Sequence, residues 1–187
     1  MNPRTPGTDA REPAFRLMTV CTGNICRSPM AEVVLRDRLE KAGLGDVVEV
    51  TSTGISDEEH GNPIDHRAQE VLREHGYPVP RRGARQVAPT DLTANHLVLA
   101  MTSVHARALR RLAKTPDVAE RVVMYRTFDP AAPELGPGVA EHVLDIADPW
   151  YGGIEDFEVC LEQVEAAADA VVDHVRAAVR ERGRAEA

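Results

Sequence analysis

The sequence predicts an α/β domain, three layers deep, with a four-stranded parallel sheet between helices. Three observations predict it. Short apolar runs rich in strand formers alternate with longer segments whose apolar residues recur at helical spacing. The first run leads through a loop of cysteine, glycine and asparagine into a proline-led helical segment, as a strand–loop–helix unit requires. The 187 residues are 43% hydrophobic, which suits one core, and only 4% aromatic, so that core must be mostly Val, Leu, Ile and Ala.

Residues 1–13 hold three prolines and several charges without the apolar centre of a signal peptide, and read as a disordered tail. A single domain is expected over 14–182, with a short C-terminal tail at 183–187. Phe15 to Val20 is the first strand and Cys21-Thr22-Gly23-Asn24 is loop chemistry. Pro29 opens a helix, where its missing N–H costs nothing, and Met30, Val33, Val34, Leu35, Leu39 and Ala42 form its apolar face before Gly43 and Gly45 stop it. Val47–Thr51 is the second strand. Ile64–His75 is a helix stopped by Gly76, and His96–Met101 is the third strand. Ser103 is expected to cap a helix running to about Ala113. Arg121–Tyr125 is the fourth strand, and the Pro/Gly-rich stretch Asp129–Gly138 is a loop. Phe157, Cys160, Leu161, Val164, Ala168, Val171, Val172, Val175 and Val179 mark one face of the longest helix.

The bulk numbers exclude several classes. A formal net charge of -8 opposes a broad nucleic-acid-binding face but not a small anion pocket. No apolar run approaches the roughly 18 residues of a membrane span. The cysteines are Cys21, Cys26 and Cys160, too few and odd in number for a disulfide framework. The expected setting is the cytoplasm with reduced thiols, or export without a signal peptide. The histidines (His60, His66, His75, His96, His105, His142 and His174) show no metal-ligand spacing with the cysteines and are treated as ordinary. Nearly all of the basic residues are Arg, with Lys only at 41 and 114, which reads as a bacterial composition bias.

Ligands of parallel sheets bind beyond the carboxyl ends of the strands, and the loop after Val20 lies at such an end. Between a strand and a helix, Cys21-Thr22-Gly23-Asn24-Ile25-Cys26-Arg27-Ser28-Pro29 points several amides inward at the helix N-terminus and makes an anion site. Gly23 and Asn24 tolerate the left-handed backbone that such a nest needs. A thiol at its base, next to a cation, is held toward the nucleophilic thiolate. Arg27 supplies a planar, permanently charged fork for two phosphate oxygens, and Ser28 can donate its hydroxyl to the Cys21 sulfur.

Cys21 through Ala31, CTGNICRSPMA, resembles the phosphate loop of the low-molecular-weight protein tyrosine phosphatases, and the resemblance extends from about Phe15 to Val179. It implies flavodoxin-like winding of the sheet, no metal or other cofactor, and hydrolysis of protein phosphotyrosine and small aryl phosphates. The implied partners are a phosphotyrosine protein and a phosphate or other oxyanion in the site, with no nucleic acid and no membrane. Cys21 is then the nucleophile and Arg27 the phosphate clamp, with Thr22, Gly23, Asn24, Ile25, Cys26 and Ser28 contacting substrate. In the family a cysteine placed like Cys26 can form a reversible disulfide with the nucleophile.

A leaving phenol needs a proton, and a carboxyl on a loop can give it. Asp148-Pro149-Trp150-Tyr151-Gly152 alone is also consistent with an ordinary turn before a helix. Paired with the Cys21 loop it resembles the family's Asp-Pro-aromatic-Tyr signature, which makes Asp148 the general acid and Trp150 and Tyr151 the entrance walls. Trp150 replaces the more usual Tyr. Asn24 and Ser52 resemble positions that brace the phosphate loop. A histidine that often joins this brace is missing, with Arg82 near its place. Asp57-Glu58-Glu59-His60 brings acids where an aromatic wall is common, with Glu58 near that position.

Four other readings compete. A thiol-dependent arsenate reductase shares the loop but needs two further cysteines, and only Cys160 follows Cys26. A phosphoarginine phosphatase tends to carry a small polar residue where Ile25 stands. An inactive phosphate-binding module would not need Cys21, Arg27 and Asp148 together. A zinc site at Cys21 and Cys26 lacks spacing and partners.

Overall fold

The computed structural model describes residues 12–185, so residues 1–11 of the expected N-terminal tail lie outside it. Four strands, β1 (Phe15–Cys21), β2 (Val48–Gly54), β3 (Leu97–Ala100) and β4 (Val122–Met124), form one sheet in the order β2-β1-β3-β4. All three pairings are parallel. Six α-helices are interleaved with them: α1 (Arg27–Lys41), α2 (His66–Glu74), α3 (Pro89–Ala94), α4 (Ser103–Leu112), α5 (Pro116–Glu120) and α6 (Ile154–Ala185).

The period of two along each strand divides the core into two layers. Phe15, Leu17 and Cys21 of β1, with Leu97 and Leu99 of β3, face a cluster built with α1, α2 and α6. Met18 and Val20, with Val98, Ala100, Val122 and Met124, face the other way, against Leu92 of α3, Ala106 and Leu109 of α4 and Val118 of α5. Helices therefore cover both faces of the sheet, which explains why its central strands read as mostly apolar runs. Tyr125 and Phe157 are the only aromatics among the largest fully buried side chains, in keeping with an aliphatic core.

The winding places the site. β1 has β2 on one side and β3 on the other, so the chain order reverses across β1 and opens a crevice at its carboxyl end. Cys21 is the last residue of β1, and α1 begins six residues later. Buried Thr19 ties the two together by donating from Oγ1 to the Ser28 carbonyl at 2.8 Å.

The structure corrects several boundaries. α1 opens at Arg27 rather than Pro29, with Pro29 as its third residue, still inside the turn whose amides have no helical acceptor. Thr102, not Ser103, caps α4, its side chain accepting from the His105 amide. α3 and α5 escaped the sequence reading because six and five residues are too few to show a period. α6 continues through Ala185, so residues 183–185 are helical rather than tail. A single Gly183 costs only about 1 kcal/mol and does not end a helix flanked by good formers.

Gly54 ends β2 against the phosphate loop, and a Cβ there would lie 2.4 Å from the Thr22 carbonyl oxygen. The obstacle is backbone, which cannot swing aside. Gly54→Ala should therefore destabilise the protein by about 1–3 kcal/mol in urea unfolding, and a cost under a few tenths would show that the two loops are not in rigid contact.

Candidate active site

Several carbonyls of the loop are tied to neighbouring segments. Those of Cys21, Thr22 and Ile25 accept from the amides of Ile55, Ser56 and Asp65 at 2.9, 3.0 and 2.8 Å. Among the described residues, no amide from Thr22 to Cys26 donates to a protein group. These amides and the first turn of α1 form an anion-binding concavity. Asn24 has φ 62° and supplies the left-handed residue. Gly23 is not left-handed, contrary to the sequence reading. Its small size matters instead, since a Cβ there would meet Glu59 Cγ at 2.9 Å.

Asn24 is fully buried and uses its whole hydrogen-bonding capacity. Its Nδ2 donates to Ser28 Oγ at 2.9 Å and Ser52 Oγ at 2.8 Å. Its Oδ1 accepts from the Arg85 amide at 3.1 Å and from the Arg82 guanidinium. Ser52 passes its proton side to buried Glu32, and Glu32 lies between Arg36 at 2.8 Å and Arg82 at 3.9 Å. The place near the missing histidine is thus taken by a cation, and a buried carboxylate that the sequence reading passed over balances it. Burial lowers the Arg82 pKa, which Glu32 opposes. Ser28 Oγ lies 3.1 Å from Cys21 Sγ and 3.2 Å from the Thr53 carbonyl. Because Asn24 already donates to that oxygen, the Ser28 proton is free to turn to either acceptor.

Arg27 is buried beneath the cleft. One terminal nitrogen donates to the Ile146 carbonyl at 3.1 Å, and the other reaches Asp148 Oδ2 at 2.6 Å and Thr22 Oγ1 at 3.4 Å. Its Nε is buried without a protein partner among the described residues. A bound oxyanion is the natural acceptor for such a donor.

Asp148 caps a single 3-10 turn, Pro149–Tyr151, and its Oδ1 accepts from the Trp150 amide at 3.3 Å. Arg67 of α2 fastens this turn, donating to the carbonyls of Trp150 at 3.2 Å and Gly152 at 2.8 Å. Its guanidinium lies 4.6 Å from the Phe157 ring and 5.6 Å from that of Trp150. Asp65 grips Arg67 through both carboxylate oxygens and gives its own amide to Ile25. Burial raises the Asp65 pKa, but the Arg67 hydrogen bonds outweigh it and hold the group below the usual range. This strut between the phosphate loop and the acid loop was not read from the sequence.

The cleft, about 130 Å³, is lined by Cys21, Thr22, Gly23, Ile25, Cys26 and Arg27 below, and by Glu58, Glu59, Asp148, Trp150 and Tyr151 around the mouth. Trp150 is 42% exposed and Tyr151 90% exposed. The structure thus brings together all of the sequence-derived site residues except Asn24, Ser28 and Ser52, which lie behind the loop. Cys26 and Cys160 are buried free thiols. Burial pushes both thiols up, Cys160 to about 12. His105, treated above as ordinary, is buried against Thr22.

A strand-end cysteine in an anion-binding turn, an arginine opening the next helix and a carboxylate over both make a site suited to a phosphate ester on a parallel α/β sheet. Comparison with known proteins gives the family: residues 16–181 match the low molecular weight phosphotyrosine protein phosphatase model. The chain is 46% identical over 168 residues to a low molecular weight protein-tyrosine-phosphatase of Streptomyces coelicolor, covering 90% of this chain and 98% of that one. It is 45% identical over 156 residues to low molecular weight protein-tyrosine phosphatase A of Mycobacterium tuberculosis, covering 83% and 88%. The structure of Vibrio vulnificus Wzb in complex with benzylphosphonate superposes with a TM-score of 0.69 at 28% identity, covering 86% and 98%. The chain belongs to the low molecular weight phosphotyrosine protein phosphatase family and is a metal-independent phosphoric monoester hydrolase of the protein-tyrosine-phosphatase class.

Replacing Arg82 by Met removes the cation shared by Asn24 and Glu32. Urea unfolding should show a loss of about 1–3 kcal/mol, the cost of leaving buried polar groups unpaired. Wild-type stability in that variant would mean that Arg36 alone balances Glu32.

Proposed function

We propose that the enzyme hydrolyses phosphotyrosine in proteins, and small aryl phosphates, through a cysteinyl-phosphate intermediate on Cys21. The observation that carries this reading is the convergence on one cleft of the Cys21 thiol, the Arg27 guanidinium and the Asp148 carboxyl, with Asp148 2.6 Å from Arg27. The benzylphosphonate held by Wzb, an aromatic ring one methylene from a phosphonate, is the kind of ligand this cleft suits.

The Cys21 thiolate attacks phosphorus in line, with the Ser28 hydroxyl donating to the sulfur. The ester P–O bond breaks, and Asp148 gives its proton to the departing phenolate oxygen. Water then attacks the cysteinyl phosphate and passes a proton back to Asp148. The P–S bond breaks, inorganic phosphate leaves, and the thiolate is regenerated. Through both steps the loop amides and Arg27 hold the equatorial oxygens. A thiol nucleophile works in a reducing compartment, so the reading places the enzyme in the cytoplasm.

Hydrolysis of p-nitrophenyl phosphate with a chelator present tests the assignment. Cys21→Ser should abolish turnover, and Asp148→Asn should lower kcat by about 100-fold, the usual weight of a general acid. An active Cys21→Ser variant would overturn the mechanism.

Glu58 and Glu59 at the mouth bear on substrate choice. Phosphotyrosine peptides flanked by Lys or Arg should be cleaved about 3–10-fold more efficiently than Asp/Glu-flanked ones at low salt. Glu58→Gln with Glu59→Gln, or raised salt, should narrow the ratio. A ratio near one in the wild type would show that the acids do not reach the flanking residues.

A further inference from the structure

His105 is 3% exposed, in the first turn of α4 and behind the phosphate loop. Its Nε2 lies 2.9 Å from Thr22 Oγ1 and its Nδ1 lies 2.9 Å from Thr102 Oγ1. Thr22 Oγ1 also accepts from Arg27 at 3.4 Å, and Thr22 lines the cleft. A run of Thr102, His105, Thr22 and Arg27 therefore leads from the cap of α4 to the phosphate clamp. None of the steps assigned above uses it.

The protons along this run can be placed. Burial, and then the nearby Arg27 cation, push the His105 pKa down to about 3, so the ring is neutral, with one donor and one acceptor. Thr102 Oγ1 accepts from the His105 amide at 3.3 Å and can give its own proton to Nδ1. In that arrangement Nε2 carries the ring proton and donates to Thr22. With both lone pairs of Oγ1 engaged, by the ring and by Arg27, the Thr22 hydroxyl must direct its proton elsewhere. The opposite tautomer would draw the Thr22 proton onto the ring and turn a lone pair toward an incoming anion, which a phosphoryl oxygen disfavours.

We propose that His105 is a positioning residue that holds the Thr22 hydroxyl as a hydrogen-bond donor to the phosphoryl group and steadies Arg27 through the same oxygen. Thr22 thereby becomes a side-chain donor to the substrate in addition to the loop amides. The inference rests on the phosphatase reading for its substrate, but the coupling can be measured with inorganic phosphate alone, by calorimetry, even if no ester is turned over.

The test is a double-mutant cycle of Thr22→Val and His105→Phe, read as phosphate affinity and as kcat and KM for p-nitrophenyl phosphate. Each single variant should weaken phosphate binding about tenfold, with kcat falling more than KM rises. The double variant should be no worse than either single one, because both break the same chain. His105→Gln, whose amide nitrogen can stand where Nε2 stands, should stay within about threefold of the wild type. Losses that multiply in the double variant would overturn the proposal. So would wild-type phosphate affinity in His105→Phe. Should that variant not fold, Thr22→Val decides on its own, since wild-type affinity there removes the donor the proposal requires. Absence of turnover in the wild type with the phosphate coupling intact would instead refute the phosphatase reading and leave this inference standing.

Discussion

The structure depends on keeping a ring of unpaired amides aimed at one point inside a protein that is otherwise acidic. Left alone, such a loop would rotate its peptides to pair with one another or with water. Asn24 prevents this. Its left-handed backbone turns the chain, and its side chain joins Ser28, Ser52, Arg82 and Arg85, contributed by α1, β2 and the stretch beyond it. No other side chain offers two donors and two acceptors at that reach without a charge that would compete with the ligand. The buried Glu32 behind it follows from the same constraint. Arg82 brings positive charge behind the loop, and the buried carboxylate pairs with it and with half-exposed Arg36.

Topology determines which elements can reach the site. The reversal of strand order across β1 leaves its carboxyl end open, and the elements around that opening each contribute one attachment. Just past β3 is the Met101 carbonyl, which accepts the Ile146 amide at 2.9 Å and fixes the start of the acid loop. From α4 comes the Ser103 amide, which donates to Asp145 at 2.6 Å, a carboxylate at a helix N-terminus. From α2 comes Arg67, which holds the far end of the same loop. Asp148 thus sits between two fixed points rather than on a free segment, while Trp150 and Tyr151 project from the turn toward solvent.

Much of this was legible in the sequence, and the unread part has a physical pattern. The phosphate loop was readable because its parts are contiguous: one strand, one turn and one helix start, with each residue type explained locally. The acid loop was readable only in combination with it. Glu32, Arg67 and His105 were not readable because each sits on a helix whose pattern already accounts for it. Glu32 and Arg67 look like solvated charges on amphipathic helices, and His105 like one histidine among seven. Their partners lie 20, 85 and 83 positions away respectively, and only the fold brings them together. The cap of α4 shifted to Thr102 for a related reason: two adjacent hydroxyl residues offer the same local signal, and Asp145 engages the amide and hydroxyl of Ser103.

One cation joins these parts. Arg27 is shared by the Ile146 carbonyl, Asp148 and Thr22, so the floor of the cleft, the acid loop and the His105 chain all meet on a single guanidinium. A phosphoryl dianion entering the loop competes with Asp148 for that guanidinium, since both present oxygens to the same N–H groups. On the proposed mechanism, binding exchanges one anion for another and releases Asp148 from its ion pair. Without a phosphoryl group, the same carboxylate neutralises the buried cation. On that reading the ion pair is the resting form of the arrangement, and a phosphoryl group takes the place of Asp148 on Arg27.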